Sequence, residues 1–221
     1  MAKQIEPLTG SKNLDSFMAD IVQKKFQKAK LYDKDTSSFM WFLYYVSFMW
    51  IWQKRFMKGY HTTIGYSVYV SKFVMDNKLW ESLYKTMRHE FIHMLQNGKY
   101  GLLYNLSYLF PQILAVGSLL ALLAIWFSNW WLMSLCALAF LAPLPAPWRT
   151  KWEIEGYTQS MLVLFEESGE IPQERIDNII KHFTSMDYFM MCPFKGWITK
   201  RIEGIATQIR AKEIQGIFLS Y

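Results

Sequence analysis

A chain of 221 residues can bury one good core, or a modest soluble domain with membrane segments attached. Its composition is 52% hydrophobic and 18% aromatic but only 19% charged, and the net charge of +6 suits an acidic lipid surface. A nucleic-acid partner is excluded, since the basic residues are scattered and the aromatics sit in apolar runs, and two cysteines, Cys136 and Cys192, make no disulfide framework.

The leading MAKQIEPLTGSKNLDS is polar and lacks the apolar stretch of a cleaved signal peptide. Leu14, Phe17, Met18, Ile21, Val22 and Phe26 then recur at helical spacing, which predicts an amphipathic helix capped near Asn13 or Asp15. The uncharged run Ser37 to Trp52 covers about 16 residues, short of the roughly 20 that cross a bilayer, and its Trp and Tyr residues favour an interface. It predicts a buried or interfacial helix. In HTTIGYSVYVSKF, residues 61–73, Ile64, Tyr66, Val68 and Val70 alternate with smaller or polar neighbours and predict a strand. Such a strand at a sheet edge can pair with an extended substrate through its backbone.

The next segment predicts a helix over residues 77–97, with Asp76 or Asn77 as its N-cap and Gly98 as its C-cap. Trp80, Tyr84, Met87, Phe91, Met94 and Leu95 form its apolar stripe. The same helix contains TMRHEFIHML, and in it His89-Glu90-Phe91-Ile92-His93, the pattern H-E-x-x-H, whose two histidines project to the side opposite the stripe with Ser82, Thr86 and Gln96. Two histidines at i and i+4 lie about 40° apart around the helix and one turn apart along it, so both imidazoles reach one metal ion. Zinc makes a water acidic near neutral pH, and the intervening glutamate can take its proton as it attacks a carbonyl. The bland alternative is a solvated face with two harmless histidines. The chain has only four His (His61, His89, His93 and His182), so half its supply stands on one turn. Gln96, one turn beyond His93, is placed to support a ligand.

From Leu102 to Trp148 no residue is charged. LLYNLSYLFPQILAVGSLLALLAIWF is long enough to span, SNWW breaks it, and LMSLCALAFLAPLPAP is long enough to return. Residues 102–148 therefore predict a transmembrane hairpin. Lys99 precedes it and Arg149 and Lys151 follow, so both ends, and the candidate site with them, belong on the cytoplasmic side. Helices follow over 151–168, in IPQERIDNIIKHFTSM and in GWITKRIEGIATQIRAKEIQ, the first ending near Gly169.

A zinc site of catalytic type needs a third protein ligand. The residues alone leave Glu153, Glu155 and His182 open. The order H-E-x-x-H, apolar hairpin, then R-T-K-W-E-I-E-G-Y from Arg149 to Tyr157 resembles the gluzincin metallopeptidases. It is most similar to their integral-membrane branch of bacterial heat-shock and CaaX prenyl proteases. IGYSVYV, RHEFIHMLQ and WEIEGY also resemble short metallopeptidase-like proteins of phages and bacteria. The likeness covers about residues 61–165. It implies zinc held by His89, His93 and Glu153, with Glu90 as general base. Two positions depart from the membrane-branch pattern: Gly156 replaces an alanine, and Tyr157 replaces an acid that orients a ligating histidine. Tyr157 is accordingly assigned to catalysis, as an orienting or oxyanion-supporting group. His182, in IIKHFTSM, reads first as a partly buried helix residue, with transition-state stabilisation as its functional alternative. The expectation is one zincin-like α+β domain over 1–221, mainly helical with a small sheet, its hairpin inserted between the two ligand helices. Its partners would be a peptide or membrane-protein substrate and the bilayer. The alternative is an inactive zincin-like membrane interaction protein.

Overall fold

A computed structural model of the chain describes residues 2–5, 12–46, 56–142, 144–186 and 190–214. It is mostly helical with one small sheet, as the periodicities imply. Helix α1 (Lys12–Phe17) runs on through a π-helical stretch, Met18–Val22, into a last turn, Gln23–Lys25. Leu14, Phe17 and Val22 are buried at the expected spacing. Strand β1 (Lys30–Asp33) leads to helices α2 (Ser38–Val46) and α3 (Phe56–Gly59). Residues 47–52 of the aromatic run lie outside the described residues. In α2, Met40 is buried while Phe39, Phe42 and Tyr45 face outward.

The segment expected as one edge strand is a hairpin, β2 (Thr62–Ile64) and β3 (Ser67–Val70). Gly65, at φ 60, takes the left-handed conformation that reverses the chain, which side-chain alternation cannot register. β3 is central, parallel to β1 and antiparallel to β2, so of the two hairpin strands only β2 lies at a sheet edge. Val68 and Val70 point into the core as their alternation requires. Lys34, just after β1, is fully buried and donates from Nζ to Phe56 O, Tyr60 O and Thr62 Oγ1. Burial brings its pKa down to about 7, with the Glu90 charge opposing. It ties the end of β1 to the start of β2.

Helix α4 (Lys72–Asp76) absorbs the residues expected to cap the next helix. The long helix α5 (Trp80–Tyr100) begins after Leu79 and ends at Gly101, not Gly98. Gly98 is a packing glycine: a Cβ there would stand 3.3 Å from the Phe26 ring. Helix α7 (Pro147–Ser168) ends at Gly169 in the left-handed conformation, as expected. It runs antiparallel to α5, with Gln96 opposite Glu155 at one end and Arg88 paired to Glu166 (2.8 Å) at the other.

Each of these helices has its own apolar cluster. Leu83, Met87, Phe91, Ile92 and Met94 of α5 pack with α1 and the sheet. Ile154, Met161 and Leu162 of α7 pack with α8 (Gln173–Thr184) and α9 (Lys195–Arg210) through Ile176, Ile180 and Ile202. Between the clusters runs a buried polar seam of His89, Glu90, His93 and Gln96 facing Glu153, Gln159 and Ser160. Desolvating so many polar groups is costly unless something in the seam satisfies them.

The uncharged region departs from two straight spans. Helix α6 (Leu102–Leu109) stops at Phe110, which is held extended (φ −72, ψ 135) ahead of Pro111, as residues before proline are. Two 3₁₀ helices follow, Gln112–Ile125 and Asn129–Leu141. Among the described residues no single helix is long and apolar enough to cross a membrane. α6 and the first 3₁₀ helix would suffice together but meet at 87°. Ser128, in the SNWW break, turns the chain and accepts from Trp130 N. The two 3₁₀ helices pair antiparallel, with Ser134 Oγ donating to Ser118 O. Leu122, Ile125, Trp126, Phe127 and Trp130 are 61–80% exposed on their outside. The root of this hairpin is fastened to α7: Arg149 donates from Nε to Tyr108 O and from Nη2 to Gln112 Oε1, both at 3.0 Å, and Trp152 Nε1 donates to Ser107 Oγ.

Candidate metal centre

His89 and His93 stand one turn apart on the face of α5 that α7 covers. Across from them Glu153 is 1% exposed. His89 Nε2 lies 3.1 Å from His93 Nε2 and 3.4 Å from Glu153 Oε2, and His93 Nε2 lies 3.6 Å from Glu153 Oε1. Ligand atoms held tetrahedrally at 2.0–2.2 Å from one zinc ion stand roughly 3.3–3.6 Å apart. The three side chains therefore form a buried group that can hold a metal ion.

The ring tautomers agree. Gln96 Nε2 donates to Glu155 Oε2 (2.8 Å) and Trp152 O (3.3 Å), both of which only accept. That fixes Gln96 Oε1 toward His93 Nδ1 at 2.9 Å, so Nδ1 carries a proton and Nε2 presents its lone pair. His89 follows the same logic: Ser160 Oγ donates to Gly156 O and so accepts from His89 Nδ1 at 3.2 Å. Two imidazole lone pairs and a carboxylate thus converge on one point, an arrangement that only a cation, proton or metal, makes favourable. Glu153 Oε2 is buried there without a hydrogen bond.

The charges respond accordingly. Burial would lower the His93 pKa, but the adjoining Glu153 carboxylate outweighs it and raises it to about 9. Burial would raise Glu153, but His93 and His89 hold it well below the usual carboxylate range. Metal-free protein at pH 7 therefore carries a proton in this cluster that a metal must displace. Between about pH 7 and 9 metal affinity should rise about tenfold per unit and flatten above, with release of about one proton at pH 7. Calorimetry in buffers of different ionisation enthalpy checks both; affinity independent of pH in this window contradicts it.

Gly156 gives the departure from the alanine pattern a reason. A Cβ at that position would fall 2.6 Å from His89 Cε1 and 2.7 Å from Nε2. Only glycine lets α7 come this close to the imidazole. Gly156→Ala should lower metal affinity about tenfold or more by pushing His89 aside, as losses of ligand orientation do. Gly204→Ala, whose Cβ meets nothing within 4 Å, should leave it unchanged. Competition against a chromophoric chelator measures both.

The structure brings together His89, His93 and Glu153 and leaves the other candidates outside the cluster. Glu155 holds Gln96. His61 accepts from Ser71 N at Nδ1, and burial takes its pKa down to about 4. Tyr157 sets its ring edge-on against His89, centroids 4.9 Å apart, while its hydroxyl and His182 Nδ1 share a hydrogen bond of 2.9 Å. Burial first and the Glu153 charge second push that phenol well above its usual range, so it stays protonated. Burial lowers His182, with Arg175 adding to the effect. Glu90 is buried beside the cluster and accepts from Thr63 Oγ1 of the edge strand β2 at 2.5 Å.

Three contributors escape the sequence reading: Thr63, Ser160 and Tyr108, whose hydroxyl donates to Glu153 Oε1 at 2.5 Å. Ser160 had a signal. With Gly156 it continues the Glu153 face at helical spacing in residues too small and polar for a core stripe. Comparison with family models, with curated proteins and with solved structures returned no match.

Proposed function

We propose that the protein is a membrane-associated zinc metallopeptidase of gluzincin type. The observation that carries this reading is the convergence of His89 Nε2, His93 Nε2 and a Glu153 carboxylate oxygen, with both histidine tautomers set by partners behind them. Two imidazoles and one carboxylate are the donor set of catalytic zinc; structural zinc prefers thiolates and a fourth protein ligand. Here neither cysteine belongs to the cluster.

When bound, the metal supplies Lewis acidity, making a water nucleophilic enough to attack a peptide carbonyl near neutral pH. Glu90 takes the proton of that water and returns it to the leaving amine. Thr63 fixes the Glu90 carboxylate through Oε2 and leaves Oε1 for the proton. β2, which carries Thr63, is the sheet edge nearest this carboxylate in the chain of contacts. An extended substrate strand added there would run beside Glu90. Tyr157, protonated and backed by His182, is the candidate to donate to the oxyanion.

The membrane part of the reading rests on the outward-facing apolar hairpin, uncharged from Leu102 to Trp148, with Lys99 and Arg149 at its roots. Helix α6 and the first 3₁₀ helix together have the length and apolarity of a span, bent by 87° where they meet. Both roots lie on the cytoplasmic side by their charge.

The test is direct: purify the full chain without chelators, measure zinc by mass spectrometry, and assay cleavage of a peptide library in detergent and in vesicles. One zinc per chain with chelator-sensitive cleavage supports the proposal. Stoichiometric zinc without cleavage favours the inactive interaction protein, and no zinc at all removes the enzyme reading.

A further inference from the structure

We infer that Tyr108 is a positioning residue that restricts Glu153 to a single ligating oxygen and thereby keeps one coordination position open. The inference rests on the metal-centre reading and deepens it. At the short Tyr108–Glu153 contact the phenol donates and Oε1 accepts. The other oxygen, Oε2, is buried, makes no hydrogen bond and stands 3.4 Å from His89 Nε2. The two oxygens of one carboxylate are thus differentiated: Oε1, 3.6 Å from His93 Nε2, is capped by the phenol, and Oε2, 3.4 Å from His89 Nε2, is the uncapped oxygen left for the cation.

The consequence is a matter of coordination number. His89, His93 and one oxygen make three protein ligand atoms, which leaves a fourth tetrahedral position for water or substrate. A carboxylate chelating through both oxygens would add a fourth protein ligand atom beside that water, bringing the shell to five and crowding the open position. Tyr108 opposes chelation because its hydroxyl must lose its partner before Oε1 can turn to the metal.

Tyr108 is itself held from two sides. Arg149, one turn before Glu153 on α7, donates from Nε to the Tyr108 carbonyl and lies 5.3 Å over its ring. The ring stands 5.9 Å from that of His93, nearly perpendicular. Arg149 and Glu153 therefore grip the backbone and the hydroxyl of the same residue. That residue comes from α6, the root of the apolar hairpin. The hairpin is then more than an anchor: the seating of its first helix sets the mode in which Glu153 ligates.

Tyr108→Phe tests this, because it deletes one hydroxyl and keeps the ring packing. The full chain is loaded with Zn²⁺ for X-ray absorption and with Co²⁺ for its d–d spectrum. The expected result is a first shell growing from about four to about five atoms, a weaker d–d band, and metal affinity lower by about tenfold or more. A merely structural role for the tyrosine would not move the coordination number. A wild-type chain that binds metal and a Tyr108→Phe chain with the same four-coordinate spectrum overturn the inference and leave the metal centre standing. A wild-type chain that binds neither ion overturns the metal centre itself.

Discussion

Glu90→Gln keeps one zinc per chain and lowers peptide hydrolysis by about 10²–10⁴-fold, the range a positioned general base contributes. The separation of the two effects follows from where Glu90 sits. It is on the ligand turn of α5 but outside the group of ligand atoms, which His89, His93 and Glu153 complete without it. A glutamine has the same shape, and its carbonyl oxygen can still accept from Thr63 Oγ1. What it lacks is a site for the proton released by water. Zinc content by mass spectrometry and the rate on the best peptide from a library are the two readouts. Thr63→Val is the graded companion: it frees the carboxylate to wander without removing it, and a loss nearer tenfold is expected. If Glu90→Gln cleaves as fast as the parent while zinc stays bound, Glu90 is a buried spectator and the mechanism proposed for this site fails.

Much of this arrangement was legible beforehand, for reasons of periodicity and chemistry. Helical spacing revealed α5 and α7, and the i, i+4 histidines announced their shared target because α-helical geometry alone brings them together. What could not be read was which element would cover that face. A solvated face was the bland alternative for the polar side of α5, and only tertiary packing makes that side a seam between two apolar clusters. The choice of Glu153 over Glu155 was likewise a question of rotation about α7. A 200° difference around one helix puts the first carboxylate on the histidines and turns the second to Gln96. Capping was misplaced for a local reason: Asp76 and Asn77 end one short helix before Lys78, at φ 52, redirects the chain into the next. Tyr108 was invisible for a different reason. It sits in a run that reads as lipid-facing, and nothing in a single-residue pattern tells a buried hydroxyl from an interfacial one.

Glu153→Gln should remove zinc, with affinity falling by more than about 100-fold, whereas Glu155→Gln should cost about tenfold or less. The two residues are neighbours on one helix with the same side chain, so the contrast isolates geometry from charge. In the proposed centre Glu153 would supply a ligand atom and the negative charge set against the bound cation. Its carboxamide keeps one oxygen as a weak neutral donor, yet Tyr108 can claim that oxygen, leaving an NH₂ group aimed at the histidines. An N–H donor pointed at a metal site is repulsive. Glu155 acts at one remove: it accepts from Gln96 Nε2, which fixes Gln96 Oε1 on His93 Nδ1 and so the lone pair on Nε2. A glutamine at 155 can still accept through its own carbonyl oxygen, and Trp152 O offers Gln96 Nε2 a second acceptor, so the relay weakens without breaking. Competition titration of both variants, alongside circular dichroism to show that each folds, decides the matter. Equal losses at the two positions mean that the helix, and not the identity of its acid, governs binding. Retention of zinc in Glu153→Gln with loss in Glu155→Gln reverses the ligand assignment and, with it, the orientation of α7 on which the whole centre is built.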